Sequence, residues 1–182
     1  MPEITNDILS ALRAMHPSNK GWVFLGELRT GTAYGTYDRQ YMDAWAINCW
    51  PSHGKHKAPH LRRAFEVKAS ASDLLRELRD PDKRWMAYAV SHEFYFVAPK
   101  GLIKKSLLDK NDGLIEWENG SLKIVKPPRV REAMPPQWSF VASLLRHRLG
   151  MEEARKARLR EATTRLFVPG GDACDCIGER ME

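Results

Sequence analysis

Cysteine is scarce in this sequence: Cys49, Cys174 and Cys176 are the three in 182 residues. So sparse and odd a set cannot make the disulfide framework that holds small secreted domains together. Long apolar runs are missing as well, since none reaches the roughly 18 residues needed to cross a bilayer. The opening MPEITNDILSALRAM has no basic segment followed by an apolar one, so it does not read as a secretory leader. The expectation is a soluble, cytoplasmic protein with no membrane partner, either nucleoid-associated or phage-encoded. No GxxxxGK[ST] or GxGxxG loop occurs, which leaves no sequence basis for ATP or a dinucleotide cofactor. No GxSxG elbow marks a serine hydrolase. His53, His56 and His60 lie near Cys49, but their spacing fits no zinc pattern and their basic neighbours oppose a cation. Cys174 and Cys176 lack the second pair that a zinc site needs.

Apolar residues make up 43% of the chain and aromatics 9%, enough to bury a core. Charge is where the composition leans. Charged residues are 29% of the total, with a formal net charge of +6 and a pI of about 9.3. Such a balance favours polyanionic partners, nucleic acid foremost.

Periodicity organises the chain. Asn6 opens a helix over 6–16 with Ile8, Leu9, Leu12 and Met15 on one face. Residues 22–28 and 41–50 read as strands, separated by a Gly/Thr/Tyr-rich loop over 30–37. A basic, turn-rich connection, PSHGKHKAPHLRR at 51–63, leads into a strand at 64–69. Ser70 and Asp73 then have capping-box spacing and open a helix carrying Leu74, Leu75 and Leu78. Pro81 interrupts it before a short helix with Trp85, Met86 and Ala89, where Trp85 is expected in the core. Residues 94–98 form a continuous apolar run, as in a strand covered on both faces. Weaker strands at 113–117 and 122–125 are hinged by Asn119-Gly120. The expected organisation is a core over 1–126, a proline-rich linker over 127–136, a basic helix over 137–168 and a loose tail over 169–182. The fold class is α/β, a mixed sheet flanked by helices with a long C-terminal helix.

One constellation carries chemistry. Asp43 lies on the second expected strand, and Glu66-Val67-Lys68 follows after 22 residues on the third. Alternation along a strand points Glu66 and Lys68 to one face and Phe65, Val67 and Ala69 to the other. If the Asp43 strand is the neighbour, two carboxylates and an ammonium share one spot. Mg2+ (or Mn2+) takes oxygen ligands, usually one or two carboxylates plus waters and a phosphate oxygen. Asp43 and Glu66 can supply them, with the Val67 carbonyl as a further donor. Lys68 is then placed to orient an attacking water and to stabilise developing negative charge. The competing interpretation of Glu66 and Lys68 is an exposed ion pair of little consequence.

These residues resemble the PD-(D/E)XK nuclease superfamily, with Met42-Asp43 at the "PD" position and Glu66-Val67-Lys68 at "(D/E)XK". More narrowly, FEVKASASDLLRELRDPDKRWMAYAVSHEFYFVAPKGLI is similar to the MmcB-like family of DNA repair nucleases. The likeness runs from about Glu27 to Lys126 and is most specific over Phe65 to Ile103. It implies a restriction-endonuclease-like mixed sheet flanked by helices and Mg2+-dependent cleavage of nucleic acid. It also implies an auxiliary acidic role for Glu27 on the first strand, where the alternative is an edge-strand surface residue. Met42 departs from the motif's proline, and the 51–63 connection is longer than in close relatives.

Lys55, His56, Lys57, His60, Arg62 and Arg63 crowd the connection into the catalytic strand and are candidate phosphate contacts, as is Lys83. The C-terminal helix is basic, which fits DNA binding, partner docking or a plain solvated helix alike, and its apolar positions Val141, Leu145 and Leu149 are instead a candidate homodimer surface. The function expected is a Mg2+-dependent deoxyribonuclease. The alternatives are a non-catalytic nucleic-acid-binding module with the same fold, and an RNA- or structure-specific nuclease.

Overall fold

A computed structural model describes residues 3–31, 40–50 and 60–166 of the chain. The first helix, α1 (Glu3–Met15), buries Ile8 and Leu12 along one face, as its periodicity predicts. It starts one turn before Asn6, with Glu3 in the first turn where a carboxylate complements the helix dipole. The strands follow as β1 (Trp22–Arg29), β2 (Tyr41–Asn48) and β3 (Arg62–Val67). After them come α2 (Ala71–Leu78), a 3-10 turn at Pro81–Arg84, α3 (Trp85–Ala89) and β4 (Glu93–Pro99). The hairpin β5 (Asp112–Glu118) and β6 (Ser121–Lys126) precedes the long helix α4 (Trp138–Leu166). Ser70 caps α2, its side chain accepting a hydrogen bond from the Asp73 amide. Asn119 and Gly120 both take positive φ at the β5–β6 turn, as the Asn-Gly dipeptide favours.

The six strands form one sheet in chain order. β1, β2 and β3 are an antiparallel meander, β4 and β5 run parallel to β3, and β6 returns antiparallel. This is the α/β mixed sheet flanked by helices, with a long C-terminal helix, that the sequence predicts. One face carries Phe24, Ala44, Ala46, Phe65, Val67, Tyr95, Val97 and Ile115, packed against Ile8 and Leu12 of α1. The opposite face carries Trp45, Ala64, Phe94 and Phe96, all buried. Tyr88 of α3 meets Phe94 edge-on, and Phe140 of α4 meets Trp45 in the same way. Residues 93–98 of β4 are buried without interruption, since helices cover both sides of it.

Two expectations differ from the structure. Trp85 is 45% exposed, and Met86 and Ala87 fill the core beside it instead. The proline-rich segment 127–136 is tied to the domain rather than spanning free of it. Its Arg129, Arg131 and Met134 amides donate to the carbonyls of Lys110, His92 and Ala89 at 3.1, 3.0 and 2.8 Å. The compact unit extends accordingly to Leu145, and a second unit begins at Arg146. Within the first, Ser143 Oγ donates to the Arg29 carbonyl at 2.6 Å. No helix among the described residues is long and apolar enough to cross a membrane.

Candidate active site

The site forms where β2 and β3 part. Their register runs to the Ala44–Phe65 pair. One step further, Asp43 and Glu66 stand opposite each other on the same face. There the Val67 amide donates to Asp43 Oδ2 at 2.7 Å, so a side chain takes over the place of a ladder carbonyl. On its other side β3 stays stitched to β4, and the Lys68 amide donates to the Val97 carbonyl at 2.9 Å. The chain then enters α2 within three residues, which turns that helix back over the end of β3.

The result is a cleft of about 480 Å3 lined by Thr5, Asp43, Glu66, Val67, Lys68, Ala69, Asp73, Arg76, Glu77 and Lys83. Asp43, Glu66 and Lys68, expected together from the sequence, share it. Lys68 Nζ lies 2.8 Å from Glu66 Oε1, 3.5 Å from Glu77 Oε2 and 3.7 Å from Asp73 Oδ2, and the Lys68 side chain is only 4% exposed. Sequence reasoning gave Asp73 only a capping role and passed over Glu77. Their i,i+4 spacing on α2 puts both on one helix face, directly after the E-x-K strand, and that was the available signal.

The charges strain against their surroundings. Burial, the strongest influence, pushes the Glu66 carboxyl up to about 8, and the Asp43 charge adds to this against the pull of Lys68. Asp43 is raised too, first by burial, while the Val67 amide and the Lys68 charge pull it down. Burial disfavours the Lys68 ammonium, but Glu66, Glu77 and Asp73 outweigh it and hold that group above its ordinary value. Lys68 therefore stays charged at neutral pH.

Two adjacent carboxyls that both resist ionisation leave room for a second cation beside Lys68. Among the described residues no group of three or more His, Cys, Asp or Glu side chains is arranged to hold a metal ion. Mg2+ does not require such a group, since it commonly binds through one or two carboxylates and keeps several waters. The Asp43 and Glu66 oxygens thus fit Mg2+ or Mn2+ in number and hardness.

Several of the other expected site residues do not line the cleft. Glu27 holds the register position across from Asp43, between the Gly26–Ala44 and Leu28–Met42 pairs. It has a φ of 53°, is exposed, and is not among the side chains lining the cleft. Arg63 shares the Phe65 face. It donates to Glu93 Oε2 at 2.7 Å, contacts His16 Nε2 at 3.3 Å and lies over the Trp22 ring. Arg62 at the start of β3 has its guanidinium 3.2 Å from His92 Nε2. These arginines belong to a packed network rather than to the cleft, because alternation and burial at the head of β3 turn them inward. His60 Nδ1 donates to the Asn48 carbonyl at 3.2 Å. Lys83 does reach the cleft, half-exposed and 3.6 Å from Asp80. Lys55, His56 and Lys57 lie outside the described residues.

Comparison with family models finds no match, and comparison with curated proteins finds none either. Among solved structures the chain is similar to a protein of unknown function from Silicibacter pomeroyi, with a TM-score of 0.55 and 14% identity. The match covers 85% of this chain and 96% of that one. At that identity the likeness speaks to the fold alone.

Proposed function

We propose that this protein is a Mg2+-dependent nuclease that hydrolyses phosphodiester bonds in DNA. The observation that carries the reading is the meeting of Asp43, Glu66 and Lys68 in one cleft, with both carboxyls raised and the lysine held charged. The resemblance of Met42-Asp43 and Glu66-Val67-Lys68 to the PD-(D/E)XK pattern, and the basic charge of the chain, point the same way. An isolated structural ion pair would gain little from a second buried carboxylate beside it, since desolvation opposes each added charge.

Asp43 and Glu66 would hold the cation through their carboxylate oxygens. When bound there, the metal supplies a polarised phosphate and a water of lowered pKa. The chain's own residues do the rest. The Asp43 carboxylate is aimed by the Val67 amide, so one ligand is preorganised before metal arrives. Lys68 keeps its proton, so it acts as a hydrogen-bond donor and electrostatic stabiliser of the pentacovalent phosphate, not as a general base. Lys83, which lines the cleft, would meet an adjacent phosphate of the strand.

A panel of end-labelled duplex, single-stranded and branched DNA, with RNA alongside, tests the reading. Each is incubated with the protein in Mg2+, Mn2+ or EDTA. Metal-dependent cleavage of one or more DNA forms is expected. Salt-sensitive binding without cleavage in either metal would instead favour a non-catalytic binding module, and cleavage confined to RNA would change the substrate class.

A further inference from the structure

We infer that Glu77, locked in place by Arg84, is a positioning residue that holds the Lys68 ammonium in the cleft beside Asp43 and Glu66. This rests on the nuclease reading above and deepens it. Lys68 cannot be held by Glu66 alone in a working site. Glu66 is the group assigned to the metal, and a carboxylate shared with a dication grips a neighbouring ammonium less strongly. Two other carboxylates face Lys68 Nζ, both from α2. Asp73 is the more distant at 3.7 Å, and its Oδ1 is already engaged by Arg76 at 2.6 Å. Glu77 is within hydrogen-bonding reach at 3.5 Å.

Glu77 is itself held from behind. Its side chain is 11% exposed, and its Oε1 lies 3.7 Å from Arg84 NH1. That same nitrogen donates to the Glu77 backbone carbonyl at 2.8 Å, so one guanidinium fixes both the side chain and the main chain of the residue. Arg84 is buried in turn. Its Nε donates to the Tyr88 hydroxyl at 3.3 Å, and its guanidinium lies over the Phe96 ring. Tyr88 donates to Asp112 of β5. A continuous chain of contacts therefore runs from the ammonium in the cleft to the sheet. α2 alone, two turns long, would not hold a side chain this firmly; the sheet does so through Arg84. Glu77 acts on the reaction through Lys68, so its effect is expected on the chemical step.

The test compares Glu77→Gln, an isosteric change, with wild type in four measurements: kcat, KM, Mn2+ affinity, and amine-directed labelling of Lys68 read by mass spectrometry on metal-free protein. The expected result is kcat at least 10-fold lower with KM and Mn2+ affinity within 2-fold, and Lys68 labelling several-fold faster. Unchanged kcat together with unchanged labelling overturns the inference. A parallel loss of kcat and Mn2+ affinity also overturns it, by making Glu77 a metal ligand. Should Glu77→Gln fail to fold, Arg84→Lys carries the same readouts, because it keeps the charge and loses the two-point grip. If wild type cuts nothing, the nuclease reading has failed, and the labelling comparison still decides whether Glu77 holds Lys68.

Discussion

Replacing Glu66 by Gln should make the metal-free protein more stable, while destroying the site. Glu66 ordinarily titrates near 4.5, and in the fold it is pushed up to about 8. Between those values the folded protein holds a proton that the unfolded chain has released. Stability is therefore full below about pH 4.5 and falls as pH rises toward 8. At pH 7 the gap spans about 2.5 pH units, which at 1.36 kcal/mol each sets a ceiling of about 3 kcal/mol. The Glu66 side chain keeps 18% exposure, so solvent screens part of that and the expected gain is about 1–2 kcal/mol. For a chain of this size the melting temperature should rise by roughly 2–8 °C. Lys68 retains Glu77 and Asp73 in the variant, so it is not left bare. Thermal melts of both proteins from pH 5 to 8 in EDTA are the assay, repeated with Mg2+. Wild type should gain stability from Mg2+ and the variant should not. A variant less stable than wild type at pH 7, or one with the same slope against pH, would refute the electrostatic account of the site.

Further outcomes follow from the same geometry. With Glu66 as the proposed Mg2+ ligand, the ion would have to displace its proton below about pH 8, so affinity should weaken as pH falls, by up to about tenfold per unit. Calorimetry in buffers of different ionisation enthalpy should show proton release on binding, and none would contradict it. His16 is buried with its value lowered to about 4, chiefly by desolvation. In an Asp43→Asn/Glu66→Gln background, which removes both raised carboxyls, stability should accordingly rise from pH 4 to 6.5, by at most about 3 kcal/mol; a flat profile would count against this. Gly113→Ala would place a Cβ 2.4 Å from Tyr95 Cδ1 and 2.9 Å from Pro128 Cδ. A loss of about 1–3 kcal/mol is expected in denaturant melts, and a neutral result would mean that segment yields more readily than its hydrogen bonds suggest.

The strands were legible because their burial alternates or is continuous, and Glu66 and Lys68 could be placed on one face from period two alone. α2 was legible from its cap: Ser70 Oγ accepts the Asp73 amide, one half of the box that their spacing implies. What the sequence concealed were interactions between elements. Asp73 and Glu77 look like the solvated face of a short helix until β3 is seen to end beneath them. Arg62 and Arg63 look like part of a basic loop, yet Glu93 and His92, 30 residues downstream, claim them through the parallel β3–β4 pairing. The register is what decides their role, and it cannot be read locally. Trp85 misled for a related reason. Its helix is five residues long, too short for periodicity to say which side faces in.

The most direct test of the account is single-turnover cleavage of labelled DNA in Mg2+ by wild type, Asp43→Asn and Lys68→Ala, each checked for folding. The account predicts cleavage by wild type and its loss, by at least about 100-fold, in both variants. Cleavage that persists in both folded variants would place the chemistry outside this cleft and contradict the assignment.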